Sequence, residues 1–93
     1  MLTLETIHAR SIPIADKYRV SRLELFGSYA DGTANENSDV DFLVEFSAPI
    51  PSVFLVMGFR EELSNSLGLP VDLITLPLTN PEKLQLQKTE RII

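Results

Sequence analysis

The pattern of hydrophobic and polar positions predicts short strands that alternate with helices. Residues 22–26 and 39–46 alternate apolar and polar side chains, as strands with one buried face do, and residues 70–76 form a third, mainly apolar strand. Residues 31–38 are polar and turn-forming, which predicts an exposed loop between the first two strands. Together with the helices described next, this order predicts a small α/β or α+β sheet covered by helices.

Prolines and capping residues suggest where the outer helices begin and end. Pro13 should interrupt the first helix, because proline lacks the N–H that an internal helical position donates. We therefore expect a second short helix with Ser11 as its cap. A last helix is predicted from Asn80–Pro81, with Arg91 on one of its sides.

The middle helix has the clearest capping pattern. Ser52 is a good N-terminal cap, and Gly68 is expected to end the helix. Its predicted core stripe consists of Val53, Val56, Phe59, Leu63 and Leu67. Phe54 and Met57 fall outside that stripe, which leaves two alternatives: a helix buried on a wide face, or an apolar patch that awaits a partner.

Composition and charge narrow the class of protein. The 93 residues predict a single domain over 1–93, and the absence of cysteine excludes disulfides and thiolate metal sites. No apolar run is long enough to span a bilayer, so a cytoplasmic protein without membrane contact is expected. The net charge of −5 argues against direct nucleic-acid binding and favours a basic protein partner or a divalent cation.

Acidic residues on neighbouring predicted strands form the first candidate site. Asp39 and Asp41 lie two residues apart on one strand, so their carboxylates project from one face about 7 Å apart. Asp72 is a third acid inside an apolar strand, where an unpaired carboxylate is costly. Because oxygen ligands suit hard cations, the three acids suggest a Mg²⁺ or Mn²⁺ site. Asp39 also has a structural alternative as a helix or turn cap beside Ser38, and Asp41 has one as an exposed strand position.

A Gly-Ser pair at the end of the first strand is the second candidate. Gly27 lacks a Cβ, so a phosphate could approach the backbone, and the hydroxyl of Ser28 could donate to it. A single Gly-Ser pair is usually only a turn. The ten residues between Ser28 and Asp39 matter more, because two adjacent strands would then bring together a phosphate cradle and a cation site.

These residues resemble a known signature. Residues 25–32 (LFGSYADG) and 38–44 (SDVDFLV) are similar to the motif of the polymerase β-type nucleotidyltransferase superfamily, within it most of all to the minimal nucleotidyltransferases. The likeness extends from about Ile14 to Leu76. It implies a palm-like fold with a three- to four-stranded mixed sheet covered by helices. It also implies Mg²⁺-dependent transfer of a nucleoside monophosphate, usually AMP from ATP, to a hydroxyl.

The resemblance also implies roles for individual residues. Asp39 and Asp41 would bind the metal ions and, with Gly27 and Ser28, the nucleotide. Asp72 would complete the acidic triad as a further metal and catalytic residue, and would help to activate the acceptor hydroxyl.

The minimal group implies a partner as well. Its members commonly act as antitoxins of HEPN-domain ribonuclease toxins and can transfer AMP to a toxin tyrosine, which would make ATP and a HEPN toxin the partners, in a homo- or hetero-oligomer. The alternative is a non-catalytic antitoxin that neutralises its toxin by stoichiometric binding. Two residues depart from the pattern: Asp31 stands where a basic residue is usual, and Arg19 stands where glycine often ends the first helix.

Overall fold

The computed structural model describes residues 2–48, 51–75 and 89–93. These ranges form, in chain order, α1 (Leu4–Lys17), β1 (Val20–Phe26), α2 (Ser28–Asp31), β2 (Val40–Phe46), α3 (Val53–Leu67), β3 (Val71–Thr75) and β4 (Glu90–Arg91). None of the helices within them is long and apolar enough to cross a membrane.

The four strands form one mixed sheet in the order β3-β2-β1-β4. Strand β1 pairs antiparallel with both β2 and β4, whereas β2 and β3 are parallel. Helix α3 connects the two parallel strands, as a crossover between such strands requires. The predicted mixed sheet of three to four strands covered by helices is therefore confirmed.

One face of the sheet forms the core with α1 and α3. Alternation places every second strand residue on this face, where it meets the buried stripes of the two helices. The main members are Ile7, Ala15, Leu23, Leu25, Val40, Phe42, Val44, Phe59 and Leu63. Phe59 also packs against the rings of Tyr18 and Phe46, each at a centroid distance of 5.7 Å. The opposite face of the sheet carries the acidic residues.

The expectation of a broken N-terminal helix is wrong. Helix α1 is continuous and contains Pro13. Ser11 is buried inside it and is not the cap; Thr3 caps the helix by accepting a hydrogen bond from the N–H of Thr6 at 3.2 Å. The buried residues of α1 are spaced four apart and are Ile7, Ser11 and Ala15. Their packing in the core outweighs the backbone hydrogen bond that Pro13 cannot make.

The caps and the first residue of α3 agree with the prediction, but the exposure of its first turn does not. The Ser52 hydroxyl accepts from the N–H of Leu55 at 3.1 Å, and Gly68 ends the helix with a φ of +72°. Val53, predicted in the core stripe, is instead 69% exposed. Phe54 and Met57 are exposed too, which contradicts a helix buried on a wide face.

The chain end also differs from the prediction. The last helix from Asn80–Pro81 falls mostly outside the described residues, but Arg91, which was placed on it, lies in β4. Arg91 pairs with Glu24 and Glu90 with Leu25. Strand β4 has only two residues and forms because it pairs with the edge of β1. The local sequence therefore does not predict it.

Candidate active site

Gly27 connects β1 to α2 in a conformation that excludes other residues. Its φ of +76° and ψ of −152° lie in a region essentially limited to glycine. A Cβ at this position would lie 2.5 Å from Oδ2 of Asp41. The missing side chain thus lets the turn close directly against the Asp41 carboxylate.

Two of the three predicted acids are direct neighbours across parallel strands. Asp41 on β2 pairs with Asp72 on β3, and the register gives both the same face of the sheet. Asp39 lies one residue before β2. Burial raises the pKa of Asp41 above its usual value, and the negative charges of Asp72 and Asp39 raise it further. The structure thus brings the three acids to the place where the Gly27 turn closes.

The exposure of the acids corrects one expectation. Asp41 is half-buried, but Asp39 and Asp72 are exposed. The desolvation cost expected for Asp72 within an apolar strand is therefore small, because this strand leaves its side chain open to solvent. Repulsion between like charges, with the burial of Asp41, remains the unfavourable feature of the cluster.

The donor chemistry of this cluster fits a hard divalent cation, although the set is incomplete. Over residues 2–48, 51–75 and 89–93, no group of three or more His, Cys, Asp or Glu side chains is arranged to hold a metal ion. Mg²⁺ is commonly held by only one or two carboxylates together with water and substrate phosphates. Asp41 and its neighbouring acids match that partial set.

Ser28 begins α2 directly after Gly27, so it follows the turn that closes against the Asp41 carboxylate. Ser28 also lines a cleft of about 310 Å³, whose remaining lining residues are Leu2, Leu4, Tyr29, Ala30, Asp31, Gly32 and Ala34. Asp41 does not line this cleft. The cleft therefore extends from the turn on the α2 side, away from the carboxylates.

Both departures from the family pattern have local structural consequences. Oδ1 of Asp31 accepts hydrogen bonds from the N–H and the hydroxyl of Thr33, at 3.0 and 2.6 Å, and so closes the turn after α2. Arg19 has a φ of +57°, the left-handed conformation that glycine adopts more easily. Arg19 thus holds the turn after α1 in a left-handed conformation without glycine. Asp31 places a negative charge in the cleft that Ser28 also lines.

A charged residue that the sequence analysis passed over lies on the same sheet face. Glu24 is buried, and its register partner Leu43 lies two residues from Asp41. Its carboxylate accepts from Nε of Arg22 at 2.6 Å and from the hydroxyl of Thr89 at 3.2 Å. In the sequence, Glu24 is an acid at an alternating strand position. Such a position normally indicates exposure to solvent, so its burial was not predicted.

Comparison with known proteins identifies the family. Residues 13–93 match the nucleotidyltransferase domain family, and the chain belongs to it. A relative from Methanocaldococcus jannaschii, assigned as a protein adenylyltransferase, is 48% identical over 63 residues, which are 67% of this chain and 63% of that protein. The match thus spans slightly less than two thirds of that relative. The protein adenylyltransferase MntA of Thermococcus cleftensis is 42% identical over 78 residues, covering 80% of this chain and 78% of the relative.

A solved structure agrees with the fold. A chain in the complex of a tri-AMPylated Shewanella oneidensis HEPN toxin with its MNT antitoxin superposes with a TM-score of 0.70. It is 17% identical, and the match covers 96% of this chain and 71% of that one. At this identity the likeness supports the minimal nucleotidyltransferase fold alone.

Proposed function

We propose that this chain transfers AMP from ATP to a hydroxyl group of a partner protein, a tyrosine of a HEPN-domain toxin, and acts as the antitoxin of that toxin. The observation that carries the proposal is the pairing of Asp41 with Asp72 beside Gly27. Two carboxylates held together against a glycine turn repel each other and destabilise the fold. The same arrangement suits a site that binds a cation and a phosphate. The names of the two relatives support the same activity.

Each residue of the candidate site has a role in the transfer of AMP. The Gly27 backbone and the Ser28 hydroxyl hold the triphosphate. Asp39, Asp41 and Asp72 would hold Mg²⁺, which would neutralise phosphate charge. The carboxylate of Asp72 also accepts the proton of the acceptor hydroxyl. The hydroxyl oxygen bonds to the α-phosphorus, the bond to the β-phosphate oxygen breaks, and pyrophosphate leaves.

The toxin supplies the acceptor hydroxyl. Residues 1–93 are proposed to form one nucleotidyltransferase domain, and the toxin presents the tyrosine that receives AMP. The Shewanella oneidensis complex pairs an AMPylated HEPN toxin with an MNT antitoxin, which supports a toxin as the acceptor. The net charge of −5 also suits association with a basic RNA-cleaving partner.

A transfer assay with labelled ATP tests the reaction directly. The chain is incubated with Mg²⁺ and a cognate HEPN toxin, in parallel with ATP labelled at the α- or the γ-phosphate. AMP transfer labels the toxin only from the α-position. Asp41→Asn should abolish labelling, whereas Asp16→Asn, an exposed acid on α1, should leave it unchanged. A tyrosine-to-phenylalanine change at the labelled toxin position should remove the label.

The non-catalytic alternative rests on a specific observation. Asp31 places a negative charge three residues from Ser28, where it opposes a triphosphate. If the toxin is neutralised without any transfer of label, and neutralisation survives Asp39→Ala with Asp41→Ala, stoichiometric binding replaces the enzymatic proposal. Neutralisation that requires ATP and both carboxylates supports AMP transfer.

A further inference from the structure

An exposed apolar patch lies at the start of α3. The Phe54 patch consists of Val53, Phe54 and Met57, which are 69%, 88% and 54% exposed. Phe54 and Met57 are three positions apart, so they share one side of the helix. Burying a large aromatic side chain is strongly favourable, so a ring that is almost fully exposed suits a contact surface.

An apolar cleft lies beside this patch. The Phe46 cleft has a volume of about 360 Å³ and is lined by Lys17, Tyr18, Arg19, Phe46, Ser47, Ala48 and Leu55. Phe46 and Leu55 supply apolar walls. Leu55 directly follows Phe54 on α3, and successive helical residues point about 100° apart. The same turn of α3 therefore presents a protruding ring on one side and lines a cleft on the other.

We propose that two copies of this chain associate through a two-fold contact in which Phe54 of each copy enters the Phe46 cleft of the other. A two-fold contact requires that one surface carry both the protruding and the receiving element. The Phe54 patch and the Phe46 cleft meet that requirement, because they adjoin at the start of α3. The cleft volume is at the lower end of the range for ligand pockets, which suits one aromatic side chain.

The charges around the two elements are complementary. The exposed cations Lys17 and Arg19 border the Phe46 cleft, although Lys17 also pairs with Glu62 within its own chain. Glu61, an exposed acid, lies two helical turns beyond Phe54 on the same side of α3, within electrostatic reach of Tyr18 in its own chain. When Phe54 enters the cleft of the second copy, its own Glu61 is carried towards those cations. In a chain with a net charge of −5, such pairing opposes the overall repulsion between copies.

The contact is independent of the candidate active site. Phe46 and Asp41 lie five residues apart on β2, or about 17 Å in an extended strand. Association and nucleotide binding can therefore be measured separately, and failure of one proposal leaves the other standing. The patch is smaller than the roughly 800 Å² per partner of stable complexes, so a weak, concentration-dependent dimer is expected.

Sedimentation velocity of the full chain over a concentration series tests the contact. The wild type should change from monomer to dimer as its concentration rises. Phe54→Ala should weaken the association by at least about 30-fold, as expected for a central aromatic contact. Ile12→Ala should not weaken it, because Ile12 is an exposed apolar residue of α1 that belongs to neither element. A wild type that stays monomeric at its highest soluble concentration overturns the proposal, as does a Phe54→Ala chain that dimerises like the wild type.

A complementation experiment distinguishes this contact from other dimers. Ala48→Trp fills the Phe46 cleft at an exposed position and should also weaken self-association. A mixture of Phe54→Ala with Ala48→Trp retains one intact ring and one intact cleft. This mixture should associate more strongly than either variant alone, and a mixture that associates no better overturns the two-fold contact. Unchanged circular dichroism spectra and melting temperatures, measured on dilute monomeric samples, show that both variants remain folded.

Discussion

Gly27 and Asp41 lie so close that no side chain fits between them. A Cβ on Gly27 would come within 2.5 Å of Oδ2 of Asp41, and the Gly27 backbone has a φ of +76°. The turn that ends β1 and the carboxylate at the start of β2 are therefore one structural unit. A change at Gly27 should affect the candidate site as well as the stability of the fold.

Gly27→Ala is the most direct test of this unit. We expect the free energy of unfolding to fall by about 2–3 kcal/mol, because the conformation is strained for alanine and Asp41 must move. Mg-ATP affinity should fall at least about tenfold, which corresponds to about 1.4 kcal/mol. Chemical denaturation and calorimetric titration measure the two effects.

Gly32→Ala is the matched control. Gly32 also has a positive φ, +84°, but a Cβ there would have no heavy atom within 4 Å. It should cost about 1 kcal/mol of stability from backbone strain alone and should leave Mg-ATP affinity unchanged. Equal loss of affinity in both variants would show that Asp41 is not positioned by the Gly27 turn.

Repulsion among the acids should make Mg²⁺ a stabilising ligand. Mg²⁺ at ten times its dissociation constant stabilises the folded state by about 1.4 kcal/mol, which raises the melting temperature by about 5 °C or more. Asp41→Asn removes one of the repelling charges, so the metal-free variant should be at least as stable as the wild type. Melting curves with and without Mg²⁺ measure both effects. A clear loss of metal-free stability in Asp41→Asn would instead make Asp41 a structural residue.

The stability that the contact between α1 and α3 contributes should be lost at acidic pH. Glu62 accepts hydrogen bonds from Nζ of Lys17 at 2.5 Å and from the hydroxyl of Tyr18 at 2.9 Å. These bonds, with that to Lys17 the larger cause, lower the pKa of Glu62 below the ordinary value of a glutamate carboxyl. A lowered folded-state pKa contributes stability above the unfolded-state pKa, and this contribution is lost as the pH falls through the folded-state pKa.

Glu62→Gln should therefore be less stable than the wild type at neutral pH, and the difference should disappear below the lowered pKa. Denaturation curves between neutral pH and about pH 3 follow this change across the Glu range. The exposed Glu36→Gln serves as the control and should show no such pH-dependent difference. A difference between Glu62→Gln and the wild type that persists unchanged at the acidic end would show that the carboxylate charge is not what stabilises the contact.

The buried hydroxyl of Ser11 should lower the stability of the fold. Its side chain is fully buried in α1, and its hydroxyl has no hydrogen-bond partner among the described residues. Ser11→Ala should raise the free energy of unfolding by about 1 kcal/mol, because it removes an unsatisfied polar group and favours the helix. Ser64→Ala should lower it, since the Ser64 hydroxyl donates to the carbonyl oxygen of Leu69 at 2.8 Å. Loss of stability in Ser11→Ala would reveal a partner for the hydroxyl.

Features that depend on local chemistry were predictable from the sequence, whereas features that depend on distant elements were not. The alternation around Asp41 and the caps of α3 at Ser52 and Gly68 depend on local chemistry, and both were predicted. Pro13 misled the analysis because the local cost of a proline is visible in the sequence, whereas the burial of the α1 stripe depends on distant strands. Arg91 was placed on a helix because its pairing with β1 is non-local.

The candidate site was only partly predictable. The spacing of Asp39 and Asp41 and the Gly-Ser turn were evident from the chain. The register that places Asp72 opposite Asp41 could not be derived from the sequence, because it depends on the parallel crossover through α3. The exposure of Asp72 was unforeseen, since an acid among apolar strand residues does not reveal which face it occupies.

Calorimetric titration of Mg-ATP into the purified chain tests the central claim most directly. The Asp39→Ala, Asp41→Ala double variant and the Asp16→Asn control are titrated beside the wild type. Mg²⁺-dependent binding by the wild type and the control, lost in the double variant, is the result predicted for a nucleotide site at the paired acids. Absence of binding by the wild type, or equal binding by the double variant, would contradict it.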